Sequence, residues 1–172
     1  DPSTVAANRE RLADYLKLPS EPVWLRQVHG SRVVEASPDA HAAEADASWT
    51  ARAGIVCVVM TADCLPVLFA SRDGRVVAAS HAGWRGLAEG VLEATVSALP
   101  VPPGELLAWL GPAISQSAFE VGDEVRREFL RADARADACF LGNERGRWQA
   151  DLYGLARLRL RAAGVAATYG GA

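Results

Sequence analysis

Apolar residues along the first segment fall at loosely helical spacing. Asp1-Pro2 offers a cap followed by proline at the first helical position, and Val5, Leu12, Tyr15 and Leu16 form a stripe behind it. A first helix is predicted, ended by the turn at residues 19–22. Short β-type runs follow at residues 23–28 and 32–35, with His29-Gly30-Ser31 as a tight connection between them. Residues 37–48 are rich in Ala, Asp, Pro and Glu, lack an apolar period and read as an exposed loop. Residues 55–60, 65–70 and 76–80 are continuous β-branched or apolar runs, the pattern of central strands. They are separated by Thr61-Ala62-Asp63-Cys64 and Ser71-Arg72-Asp73-Gly74. After the glycine-bearing segment His81-Ala82-Gly83-Trp84-Arg85-Gly86, Leu87, Val91, Leu92, Thr95 and Leu99 predict one helix that stops at Pro100. Residues 106–110 read as a buried strand, 123–131 as a charged surface helix, 150–163 as an Arg-rich amphipathic helix and 165–169 as a last strand. The expected fold is α+β, a single-domain mixed α/β sandwich whose central mixed sheet is covered by helices.

Composition narrows the classes of function. With 172 residues, 50% of them hydrophobic, the chain can bury one substantial core, so residues 1–172 are expected to form one domain. A formal net charge of -3 leaves no basic excess for nucleic acid. The longest mainly apolar run, residues 53–60, falls short of the roughly 20 residues that span a bilayer, so no membrane partner is expected. Cys57, Cys64 and Cys139 are odd in number and widely spaced, which argues against a disulfide framework and favours a reducing compartment, the cytoplasm. Residues 1–17 lack the charged head and apolar stretch of a signal peptide. No dinucleotide fingerprint or phosphate-loop Gly-Lys-Ser/Thr occurs.

Candidate chemistry concentrates at the strand-to-turn junctions. His29 and His81 each lie in a glycine-bearing turn segment, and Cys64 lies between two apolar runs directly after Asp63. Two imidazoles and a thiolate suit zinc or copper and leave a fourth position open for water or substrate. Asp63 could support such a site or carry protons. The plainer alternative is a buried thiol and two turn histidines with no shared role. Gly83, Arg85 and Gly86 precede a predicted helix, where N–H groups and a guanidinium could grip phosphate, or form only a turn with a surface arginine. Trp84 could stack on a base or anchor packing. Cys57 and Cys139 read as small apolar core residues.

Gln27-Val28-His29-Gly30, Thr61-Ala62-Asp63-Cys64-Leu65-Pro66, His81-Ala82-Gly83-Trp84-Arg85-Gly86 and Gly111-Pro112-Ala113-Ile114 occur in that order. Together with Phe119-Glu120-Val121-Gly122 and the closing Tyr169-Gly170-Gly171, they resemble the signature of the YfiH-like laccase-domain family. The resemblance implies a zinc held by His29, Cys64 and His81. It also implies a purine nucleoside phosphorylase acting on inosine or adenosine, with adenosine deaminase and methylthioadenosine phosphorylase side activities. Purine nucleoside and phosphate are the expected partners, and the chain is expected to be a monomer or homodimer. Cys64, His81, Asp63 and Arg85 are the catalytic candidates; Gln27, Gly83, Trp84 and Arg85 are the substrate-binding ones. Relative to that family the chain is expected to be truncated at both ends, before Asp1 and after Ala172, so some substrate contacts are expected to be missing.

Two other functions compete. A copper redox protein could use the same ligands with Met60 as a weak axial donor, although three histidines in the chain are too few for a multicopper oxidase. A cysteine hydrolase would use Cys64 as nucleophile with His81 or His29 as its base.

Overall fold

A computed structural model describes residues 1–171, so the expectation attached to Ala172 lies outside the described residues. Helix α1 (Pro2–Leu16) begins at the predicted cap, where the Asp1 carboxylate accepts from the Ser3 N–H, and ends at Lys17 in the left-handed region (φ 51°). The predicted stripe does not face the core. Val5, Leu12, Tyr15 and Leu16 are all exposed, and Arg9 and Ala13 are the half-buried residues of the helix instead.

The main sheet has six strands in the order β1-β2-β4-β3-β5-β9. They are β1 (Val33–Glu35), β2 (Ala47–Thr50), β3 (Leu65–Ser71), β4 (Val77–Ala82), β5 (Leu106–Leu110) and β9 (Ala167–Gly170). β1 runs parallel to β2 and β5 to β9, while the other pairings are antiparallel. This is the mixed sheet expected. A second sheet of three strands, β6 (Glu120–Val121), β8 (Trp148–Ala150) and β7 (Phe140–Gly142), was not expected, because strands of two or three residues carry no readable period.

The alternation along β3 and β5 fixes which face is buried. Leu65, Val67 and Phe69 of β3 and Leu106, Ala108 and Leu110 of β5 enter the core, while Leu68 and Trp109 point away from it. The core face is closed by α3 (Val91–Ala98) and α5 (Leu152–Ala162), through Val91, Leu92, Val96, Leu152, Leu155 and Leu160. Helices α2 (Trp84–Glu89) and α4 (Asp123–Ala132) pack at its margins, α4 through Val125 and Phe129. Among the described residues no helix is long and apolar enough to cross a membrane.

Three expectations are corrected. The run at residues 55–60 is not a central strand: it makes one isolated bridge, Val23↔Cys57, and Met60 is exposed. Residues 23–28 likewise contribute only that bridge and Arg26↔Glu44. Both segments instead build a small second core of Val23, Leu25, Ala36 and Ala45, against which Ile55 and Cys57 pack. The loop expected at 37–48 begins with a short 3-10 turn, Pro38–Ala40, but then dives inward, and Ala45, Asp46 and Ala47 are fully buried. Small residues gave that stretch a polar look although they sit where the chain is most crowded.

The single helix expected over residues 87–99 is two. Gly90 stands at φ 95°, its N–H closes α2 onto the Gly86 and Leu87 carbonyls, and the same residue caps α3. A side chain there would be held in a conformation that costs about 1–2 kcal/mol. Gly90→Ala is therefore expected to lower unfolding free energy by about that amount in a urea titration, with an unchanged slope.

Candidate metal centre

The sheet topology gathers the candidate residues. β1, β2 and β3 begin at the edge where β4, β5 and β9 end: Val33 lies beside Ala47, Leu65 beside Ala82, and Leu110 beside both Val67 and Gly170. Cys64 directly precedes β3, His81 sits near the end of β4 opposite Pro66, and the His29-Gly30 turn leads into β1. One ligand atom from each of His29, Cys64 and His81 can be chosen so that all lie within 4.8 Å of one another. The two imidazoles meet edge to face, with centroids 4.7 Å apart at 77°. His81 is buried, Cys64 half-buried and His29 exposed, so the group is open on the His29 side.

Asp46, just before β2, organises this cluster and was not singled out in the sequence. Its Oδ1 lies 2.8 Å from His81 Nδ1 and accepts from the His29 N–H at 2.9 Å. Its Oδ2 accepts from the Val28 and Gly30 N–H groups at 3.1 and 2.9 Å. The backbone carbonyl of Asp46 accepts from the His81 N–H at 2.7 Å. One buried carboxylate thus fixes both histidines. Burial opposes its charge, but His81 and the three backbone N–H groups outweigh that and hold it below the ordinary carboxylate range. Because Nδ1 of His81 faces Asp46, Nε2 is the ring nitrogen left for a metal.

His29 itself is held at φ 62°, a left-handed conformation that costs a non-glycine residue about 1–2 kcal/mol. Each hydrogen bond to a charged group contributes about 1.5–3 kcal/mol. Three backbone bonds to one carboxylate are therefore enough to keep the turn in that shape. Two glycines give it room. A Cβ on Gly83 would stand 3.0 Å from Cys64 Sγ and 3.1 Å from His29 Cδ2. One on Gly86 would stand 2.6 Å from the Gly30 carbonyl oxygen, where the first turn of α2 presses on the histidine turn.

Burial, then the negative charges of Asp63 and Asp46, push the Cys64 thiol up. Without a cation the sulfur stays protonated, which is the opposite of what a nucleophilic cysteine needs. Two imidazole nitrogens and a sulfur converging on one point form a donor set that could hold a metal, and the identity of the ion is not fixed by it.

The cluster lies on a cleft of ≈ 710 Å³, walled by Trp24, Gln27, His41, Met60 and Asp63 among others. The Gln27 side chain pins two of its walls together, donating to the Met60 carbonyl at 2.8 Å and accepting from the Met60 N–H at 2.7 Å. Asp63 is exposed on the wall, and its carbonyl accepts from the Ile114 N–H at 2.9 Å, which ties the Gly111-to-Ile114 segment to the cysteine loop. Tyr153 reinforces that segment, accepting from the Ala113 N–H and donating to the Gly111 carbonyl.

Not every candidate comes to the cleft. Trp84 packs against the main core, and Arg85 is exposed with its guanidinium 5.3 Å from the Trp84 ring; neither lines the cleft. Gly83 contributes space beside the sulfur. His41, assigned no role from sequence, does line the cleft.

The family described as multi-copper polyphenol oxidoreductase laccase matches residues 1–171. The chain is 57% identical over 172 residues to a Pseudomonas aeruginosa protein named purine nucleoside phosphorylase PA4543, covering 99% of this chain and 70% of that one. It is 53% identical, with the same coverage, to purine nucleoside phosphorylase YfiH of Escherichia coli. Among solved structures, it resembles Neisseria meningitidis protein NMB0706 with a TM-score of 0.94 and 48% identity, covering 100% of this chain and 71% of that one. YlmD of Geobacillus stearothermophilus gives a TM-score of 0.90 at 28% identity, covering 98% and 69%.

Asp46→Asn keeps the shape of the side chain and removes its charge. It is expected to weaken metal binding about 10–100-fold in a chelator competition, because His81 loses the carboxylate that orients it. Unchanged affinity would mean that His81 is oriented by something else.

Proposed function

The chain belongs to the family described as multi-copper polyphenol oxidoreductase laccase, and from its named relatives and its His-Cys-His cluster we propose that it is a metal-dependent purine nucleoside phosphorylase. The observation that carries the proposal is the His29, Cys64 and His81 cluster on an open cleft, within a chain whose relatives in Pseudomonas aeruginosa and Escherichia coli bear that enzyme's name. The proposed metal is zinc, and adenosine deamination and methylthioadenosine phosphorolysis are proposed as side activities. Copper oxidase chemistry has no comparable support: the chain has three histidines, and only two of them belong to the cluster.

Phosphorolysis joins a phosphate oxygen to C1′ of the ribose, breaks the C1′–N9 bond and sends a proton to the departing purine. Bound between the two imidazoles and the sulfur, the metal would supply a fixed positive charge where negative charge gathers. The protein's own groups would do the rest. Asp46 keeps His81 and the His29 turn in place, so the cluster does not reorganise as substrate arrives. Gln27 holds the Met60 segment as a fixed wall against which a nucleoside can be oriented. Asp63, the exposed carboxylate on the cleft beside Cys64, is proposed to relay the proton taken up by the purine.

The test is turnover of inosine with inorganic phosphate, followed as free hypoxanthine and ribose 1-phosphate, and of adenosine, followed as ammonia. Cys64→Ser and His81→Ala are each expected to lose bound zinc by elemental analysis and to lower phosphorolysis by about 1,000-fold or more. Full turnover by a metal-free Cys64→Ser protein would overturn the proposal.

A further inference from the structure

Resting on the phosphorolysis reading above, we propose that Arg9 of α1 is the phosphate-binding residue of the cleft. The sequence pointed to Arg85 for that task, but Arg85 is exposed and does not line the cleft, whereas Arg9 does. The way α1 docks is the first sign. Arg9 and Ala13 are the half-buried residues of the helix, so α1 turns Arg9 toward the body of the protein.

Its guanidinium is held in place and left chemically free. The carbon at its centre lies 3.8 Å from the centroid of the Trp24 ring, which is itself 8% exposed, so the planar cation is stacked on a rigid floor. Its hydrogen bond is from Nη2 to the thioether sulfur of Met60 at 3.3 Å, a weak acceptor for a group with five N–H donors. Arg9 makes no ion pair among the described residues. Arg26, the other guanidinium on the cleft, is engaged with Glu44. The remaining donors of Arg9 are thus available in the cleft that holds His29, Cys64 and His81.

A fixed planar cation with open parallel donors fits a tetrahedral oxyanion better than a neutral base. A purine stacking on Trp24 would have to displace Arg9 first. Inorganic phosphate is accordingly the assigned ligand. Weak contact with Met60 keeps the guanidinium from collapsing elsewhere yet is readily exchanged for a charged oxygen.

The experiment compares the unaltered zinc-loaded chain with Arg9→Gln, Arg9→Lys and, as a charge-matched control on the same helix, Arg11→Gln. Calorimetric titration with inorganic phosphate and the KM for phosphate at saturating inosine are both measured, with thermal melts confirming that each variant is folded. Arg9→Gln is expected to weaken phosphate binding and raise its KM about tenfold or more (~1.4 kcal/mol). Arg9→Lys should recover part of that loss, the KM for inosine should hold steady, and Arg11→Gln should match the parent. Phosphate affinity within twofold of the parent in Arg9→Gln overturns the assignment and leaves the proposed function standing. Phosphate binding that depends on Arg9 in a protein that turns over no nucleoside overturns the proposed function and leaves the anion site standing. No phosphate binding by the parent overturns the assignment.

Discussion

A fully buried carboxylate that accepts three backbone N–H bonds and faces an imidazole is the constraint on which this end of the molecule depends. Leaving Asp46 uncompensated in the interior would be prohibitively costly, so the chain around residues 28–30 must present its N–H groups to it. That requirement holds His29 in the left-handed region. The same oxygen that receives the His29 N–H also faces His81. Two histidines distant in sequence are therefore positioned by one atom, and a displacement of either is felt by the other.

The sheet makes such an arrangement possible. Mixed pairing brings three strand starts and three strand ends to a single edge, and their loops carry nearly every residue with chemical potential. Strands buried on their core side are stiff, so the loops between them inherit fixed anchor points. Glycine at positions 83 and 86 then lets α2 close against the sulfur and the histidine turn without a clash. Packing, backbone conformation and the placement of the cluster are coupled here: a larger residue at either glycine would have to move Cys64 or the His29 turn to fit.

What the sequence disclosed follows from how each residue announces itself. The strands β3, β4 and β5 were readable because long apolar runs bounded by turns have few other interpretations, and Cys64 and His81 were readable because they sit at the ends of those runs. Asp46 carried no such signal. It lies among alanines and acidic residues that look solvated, and its importance comes from a neighbour 35 positions away. The break at Gly90 was hidden for a related reason, since an apolar period continues across it while the backbone does not. Arg9 was masked by the apolar residues around it, which suggested a buried stripe where the folded helix presents its arginine.

For the proposed phosphorolysis the cluster alone would be a poor receptor for phosphate. A divalent ion among two neutral imidazoles and one thiolate would carry a single net positive charge, and the ionised Asp46 behind His81 offsets the remainder. Asp63 adds a further negative charge on the cleft wall. A phosphate bearing between one and two negative charges at neutral pH would therefore meet a centre that is neutral or slightly negative. Productive binding then calls for a cation that belongs to the cleft but not to the ligand cluster or to an existing ion pair. Among the guanidiniums on that cleft, Arg26 is already matched by Glu44, and Arg9 is held against an indole face with its donors open.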